Sequence, residues 1–96
     1  MIYEVIITTI GEKKIPHVAP MGIVISNSTV ILKPFKPSLT LDNILLKKTA
    51  ILNVTTDVRI FAACVLGKKN YELVKLEDED GYGLKNVCSR TSLELV

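Results

Sequence analysis

From residue 2 to residue 10 the chain reads IYEVIITTI, a β-branched and aromatic run, and the GEKK that follows supplies a glycine and three polar residues suited to a turn. This pattern predicts a first strand. The next stretch, IPHVAPMGIVIS, alternates. It sets Ile15, His17, Ala19, Met21, Ile23 and Ile25 on one face and Val18, Gly22 and Val24 on the other. A long second strand is expected there, broken by Pro20. Asn27 and Ser28 make a turn, and TVILK from Thr29 to Lys33 gives a third strand, so a three-stranded antiparallel meander opens the domain.

Pro34 and Pro37 forbid a continuing ladder. From Leu41 to Lys48 the apolar positions Leu41, Ile44 and Leu45 take helical spacing, with Ser38 or Thr40 placed to cap, Asp42 in the first turn and Lys47 and Lys48 in the last. A short helix is expected, followed by a strand over TAILNVT, residues 49 to 55. DVRIFAACVLG, residues 57 to 67, carries Val58, Phe61, Ala62 and Val65 on one helical face, with Asp57 as a cap and Gly67 as a stop, and reads as a second helix rather than a strand. NYELVKLE (70 to 77) alternates as a strand, DEDGYG turns, and LKNVCSRTSLELV ends the chain as a last extended segment. The order β-β-β-α-β-α-β-β describes a mainly β domain with short helices, whose sheet closes into a small barrel with the helices plugging an end or a side.

Ninety-six residues suffice for one domain, taken here as 1 to 96, and a chain this short gains from a partner subunit. No run approaches the roughly 18 uncharged residues of a membrane helix. Glu4 and the missing basic lead argue against a secretory signal, so a cytoplasmic protein without a membrane partner is expected. Cys64 and Cys88 lack a metal or redox spacing and read as buried thiols. Twelve Lys and Arg against ten Asp and Glu leave a net charge of +2, too balanced for a nucleic-acid partner. The acidic run from Glu77 to Asp80 reads as a solvated turn. With one histidine and two distant cysteines, a metal site and a His, Cys and acid constellation are both excluded, and no catalytic residue is singled out.

The stretch KKIPHVAPMG, 13 to 22, stands out because two prolines, a glycine and the only histidine all weaken a strand. Such residues mark an edge, a bulge or a close approach by a ligand. Together, TTIGEKKIPHVAPMG, VILKPFKPSLTLDNIL and AILNVTTDVRIFA resemble a prokaryotic family called domain of unknown function 447, whose members look like FMN-binding split barrels related to flavin reductases and pyridoxamine-phosphate-oxidase-like proteins. The resemblance runs from about Ile2 to Gly67 and weakens beyond. It implies a split β-barrel that binds FMN, a homodimer with the flavin near the interface, and, in the usually longer members, a largely helical portion beyond the barrel, so that a chain stopping at Val96 reads as either a fragment or a short form.

Under that resemblance the stretch from 13 to 22 has a purpose. A flat flavin ring fits a strand where bulky side chains are absent, so Ala19, Pro20 and Gly22 free space and backbone groups, and Met21 packs against the ring face. His17 either donates to a ring oxygen or substrate or is a hydrogen-bonded histidine at the barrel rim. A phosphate needs fixed donors and positive charge. Lys33, Lys36, Ser38, Thr40 and the helix start near Leu41 form the best anion site in the chain, the other reading being a solvated loop with a helix cap. Asn53 and Thr55 lie where a strand end could approach the ring, and Arg59 is a further phosphate candidate or a solvent-facing arginine. The leading function is an FMN-binding flavoprotein, a small oxidoreductase or flavin reductase with a small-molecule redox substrate, in which the cofactor carries the hydride transfer. The alternative is a non-enzymatic module that holds a flavin, haem or deazaflavin. A nucleic-acid-binding barrel needs exposed aromatics beside a basic groove, which five aromatics and a balanced charge do not provide.

Overall fold

A computed structural model of the chain describes residues 2–32, 39–55, 73–75, 82–85, 87 and 89–95. Strand β1 (Ile2–Ile10) pairs antiparallel with β2 (Pro16–Ser26) over nine positions, from Ile2–Val24 to Ile10–Pro16. A five-residue loop joins them, in which the Gly11 N–H donates to the Ile15 carbonyl at 3.1 Å and Lys14 takes a left-handed φ of 57°. Asn27, with φ 55°, turns β2 into β3 (Thr29–Leu32), a conformation that asparagine tolerates better than most side chains. The expected meander is therefore present.

Pro20 does not break β2. The strand continues through it because the Pro16–Gly22 half is paired on one side only: among the described residues β3 reaches just Ile23 to Ser26. A residue without an N–H costs a strand nothing when it faces an unpaired side.

Helix α1 (Leu39–Lys47) begins two residues before the expected start, so Thr40 lies inside its first turn rather than ahead of it as a cap. The chain stops being helical at Lys48, whose φ is 65° while its N–H still donates to the Ile44 carbonyl at 2.7 Å. Strand β4 (Thr49–Val54) then pairs antiparallel with β1 through Ile6–Asn53, Ile7–Leu52 and Thr8–Ile51. The chain ends on two elements and not one: β6 (Tyr82–Leu84) pairs with β5 (Leu73–Lys75), whereas β7 (Ser89–Glu94) pairs with β4. Tyr82 and Gly83, expected in a turn, belong to a strand because the main sheet holds that strand from below. The expected second helix, Cys64, Cys88 and Arg59 lie outside the described residues, as do Lys33, Lys36 and Ser38.

The main sheet runs β3-β2-β1-β4-β7, all antiparallel, and curls into half a barrel, with β5-β6 as a separate pair. One face of it carries the core: Val5, Ile7, Met21, Ile23, Ala50 and Leu52 pack against Ile44 of α1. This inner face explains the apolar phase of β2, since Met21 opposes Val5 and Ala19 opposes Ile7. The phase stops short at both ends, where Ile15 and Ile25 are exposed. The other, outer face of β1 is buried too, because β6 crosses it, which is why every residue from Val5 to Ile10 is buried. A strand buried on both faces reads as a continuous apolar run rather than an alternation.

Candidate functional site

Two concavities and one small-residue surface meet around the curled sheet. The larger cavity, about 470 Å³, lies on the inner face between the sheet's two edges. Val30 and Leu32 of β3 stand on one side, Leu93 and Leu95 on the other, and Leu41 and Ile44 of α1 close it. The smaller, about 260 Å³, lies where β1, β4 and β7 end, beside Tyr82. The small-residue surface is the outer face of β2, where Val18, Pro20 and Gly22 are half-buried.

Pairing partners place the candidate residues. Pro20 pairs with Ile6, Ile6 with Asn53, and Asn53 with Arg90, so the four form one row across the outer face. Two strand spacings put Asn53 about 10 Å from Pro20. Gly22 pairs with Glu4. Because Leu32 is paired with Ile23, the chain leaves β3 beside Gly22, and it enters α1 at Leu39. Pro20, Gly22 and the point where the chain leaves β3 for the lysine-bearing 33–38 sequence thus share one corner of the molecule. Ala19 and Met21 point the other way, into the core, where Met21 is buried.

His17 occupies the opposite end of β2. It is half-buried and paired with Thr9, and burial pushes its imidazole below the usual pKa of 6.5, which favours the neutral form. The Asn43 side-chain amide of α1 donates to the Thr9 hydroxyl at 3.1 Å. A Cβ on Gly11 would approach Asn43 Oδ1 to 3.2 Å, so the β1–β2 loop, the helix and the His17 end of the sheet are closely fitted.

Asn53 has no exposed surface. Its Oδ1 accepts the Leu84 N–H at 2.9 Å, and its Nδ2 donates to the Ile6 carbonyl at 3.0 Å, with the Ile51 carbonyl at 3.3 Å and the Thr8 hydroxyl at 3.4 Å alongside. Thr8 in turn donates to the Tyr82 carbonyl, and Arg90 Nε donates to the Leu84 carbonyl at 2.8 Å. Side chains of the main sheet therefore hold the main chain of β6. Thr40 is likewise buried at 1 % exposure, and Thr55 at 8 %. The cavity residues of β3, α1 and β7 were not singled out from the sequence. No local signal marks them, because the cavity arises only when the curl brings β3 and β7 together. Among the described residues no three His, Cys, Asp or Glu side chains gather as a metal site, and no helix is long and apolar enough to cross a membrane.

A family model described as the N-terminal domain of a protein of unknown function, DUF447, matches residues 3–95, which extends the likeness past Gly67 to the end of the chain. Among solved structures, the crystal structure of an FMN-bound protein from Methanosarcina mazei, of the same family model, superposes with a TM-score of 0.77 at 28% sequence identity. The alignment covers 97% of this chain and 50% of that one, so the chain spans half the length of that protein. No functionally curated protein matches.

Proposed function

The chain belongs to the DUF447 family, and on that premise we propose that it is an FMN-binding domain serving a small redox flavoprotein. The likeness to the FMN-bound protein over 97% of the chain carries this reading. The residues on hand fit the group. A ring needs a flat surface and a phosphate needs donors a short distance away, and the outer face at Pro20 and Gly22 lies beside the point where the chain departs towards Lys33, Lys36 and Ser38. The apolar cavity of about 470 Å³ on the inner face adjoins the same corner through Leu32, and is of the size that holds small-molecule ligands.

In this reading the ring lies against Pro20 and Gly22, with Ala19 and Met21 supporting that segment from the core side. The phosphate is held by Lys36 and Ser38 with Lys33 near. Thr40 and Asn53, being buried, fix the helix and the hairpin around the site. Neutral His17, at the far end of β2, offers a donor and an acceptor without adding charge. When bound, FMN supplies hydride chemistry, and the protein's share is binding and orientation. A homodimer is part of the proposal, supported by large apolar side chains left exposed at Ile25, Ile31, Leu39, Leu45 and Leu46.

Titration of the purified protein with FMN, followed by flavin fluorescence and absorption, tests the reading. Saturable binding near one flavin per chain is expected. Absence of saturation together with saturable haem binding transfers the assignment to a carrier module, and turnover with a nicotinamide donor separates an enzyme from a flavin carrier. Light scattering that gives a monomer of about 10.6 kDa at micromolar concentration overturns the dimer.

A further inference from the structure

The smaller cavity has a chemistry of its own. The β1–β4 ladder stops at Thr8–Ile51, yet β1 continues to Ile10 against Pro16 and β4 begins at Thr49 against Glu94. The two strands therefore part beyond Thr8 and Ile51, and the cavity opens in the fork. Alternation fixes what each lining residue contributes. Thr8, Ile10, Thr49, Ile51, Ser92 and Glu94 turn side chains to the outer face, while Thr9 and Ala50 belong to the inner face and line the cavity with main chain.

The contents of the fork are thus specific. Ile10 and Ile51, both buried, give apolar walls, and Tyr82 of β6 stands beside them. Thr49 and Ser92 contribute hydroxyls that donate and accept. The facing edges of Thr9–Ile10 and Thr49–Ala50 offer N–H and C=O groups that no β1–β4 rung uses. Glu94 sets the sign of the charge at the mouth, and no described Lys or Arg lines the cavity. A volume of about 260 Å³ falls below the roughly 300–1,000 Å³ of ordinary ligand pockets, so a whole FMN does not fit.

We propose that this fork is a second small-molecule site, separate from the flavin surface, for a flat one- or two-ring compound that is neutral or cationic and carries an amide- or amidine-type edge. Apolar walls take the ring, the parted strand edges take its paired donor and acceptor, and Glu94 selects against anions. Pro20 and Gly22 do not line the fork, and although Thr49, Ala50, Ser92, Leu93 and Glu94 also line the larger cavity, the outer-face side chains of Thr8, Ile10 and Ile51 and the ring of Tyr82 are its own.

Three probes of one shape and three charges test it: benzamidine, benzamide and benzoate, titrated into isotope-labelled protein at low ionic strength and followed by amide chemical shifts. Saturable shifts at Thr9, Ile10, Thr49, Ala50 and Tyr82 are expected, with benzamidine strongest and benzoate weakest. Glu94→Gln should reduce the benzamidine-to-benzamide preference by roughly fivefold, the worth of about 1 kcal/mol for a charge pair near 4 Å in water. Ser92→Tyr, at an exposed position of an edge strand, should fill the fork and abolish the shifts while leaving the rest of the spectrum in place. Absent shifts, shifts centred elsewhere, or a preference untouched by Glu94→Gln overturn the site. Stoichiometric displacement of benzamidine by FMN also overturns it, by making the fork part of the flavin surface.

Discussion

Asn53→Leu removes the side chain that ties β6 to the main sheet. Leucine keeps the branched heavy-atom skeleton of asparagine and suits a strand, so the backbone is undisturbed and any overpacking by its larger methyls adds to the loss. The hydrogen bonds do change. The Leu84 N–H loses the acceptor it holds at 2.9 Å in a fully buried setting, and the Ile6 carbonyl loses a donor at 3.0 Å. An orphaned buried donor costs about 1–3 kcal/mol, whereas a carbonyl in a ladder keeps another partner and loses less. The sum is about 2–4 kcal/mol, a large share of the roughly 5–15 kcal/mol of an ordinary small domain. Urea unfolding followed by circular dichroism should show the midpoint fall at unchanged slope. Hydrogen exchange should show Leu84 losing protection before Ile7 does, since β6 is tied down by this side chain and β1 by its ladders. A variant within about 0.5 kcal/mol of the parent, with Leu84 still protected, would refute the claim that Asn53 clasps β6 to the sheet.

Four further outcomes are expected. Thr8→Val removes the hydroxyl bond to the Tyr82 carbonyl and should cost about 1 kcal/mol, and its effect should fail to add to that of Asn53→Leu in a double-mutant cycle, because the two side chains touch. Gly83→Ala brings a Cβ within 2.5 Å of Arg90 Cδ, which must move and give up its bond to Leu84; a loss of about 1–2 kcal/mol in thermal unfolding is expected, and the same change made in an Arg90→Ala background should cost little further. Lys36→Ala and Ser38→Ala should each weaken FMN by roughly 1–3 kcal/mol and leave riboflavin affinity unchanged, the range for bonds to a charged group; equal losses for both flavins in calorimetric titrations would move the phosphate elsewhere. For His17, the lowered pKa means the unfolded chain takes up the proton first as pH falls, so its contribution is complete above about 6.5 and is lost as the pH falls below that value. The urea midpoint should therefore drop less between pH 7.5 and 5.5 in His17→Gln than in the parent.

Much of this was legible in the sequence wherever one face of an element was dry and the other wet. The run of β1, the inward phase of Ala19, Met21 and Ile23, and the helix spacing of Leu41 and Ile44 all appear where the pattern puts them. Local patterns do not disclose partners at a distance. Pro20 reads as a break because the sequence cannot say that, among the described residues, no strand pairs with its side of β2. Asn53 reads as an ordinary polar residue near a strand end because its four contacts come from residues 2 to 47 positions away. Tyr82 and Gly83 read as a turn because what makes them a strand is pairing with Val74 and Lys75, held to the main sheet by the hydroxyl of Thr8 and the amide of Asn53. The family resemblance supplied the flavin, and the curl of the sheet supplied the two cavities, neither of which has a motif.

The half-paired state of β2 has a consequence for the protein in a crowded solution. An open strand edge is a template for any passing chain, and such pairing leads to aggregates. Pro16 and Pro20 are four residues apart, so their ring nitrogens face the same side of the strand. With β1 paired to all nine positions and, among the described residues, no strand on the other side of Pro16–Gly22, the side that tolerates two missing donors is the open one. A visiting strand would find its carbonyls opposite proline rings twice within five residues and could not zip along the edge. The prolines that leave room for a small ligand thereby deny it to another backbone, and Pro20→Val should make the protein less soluble at high concentration even where it gains strand propensity.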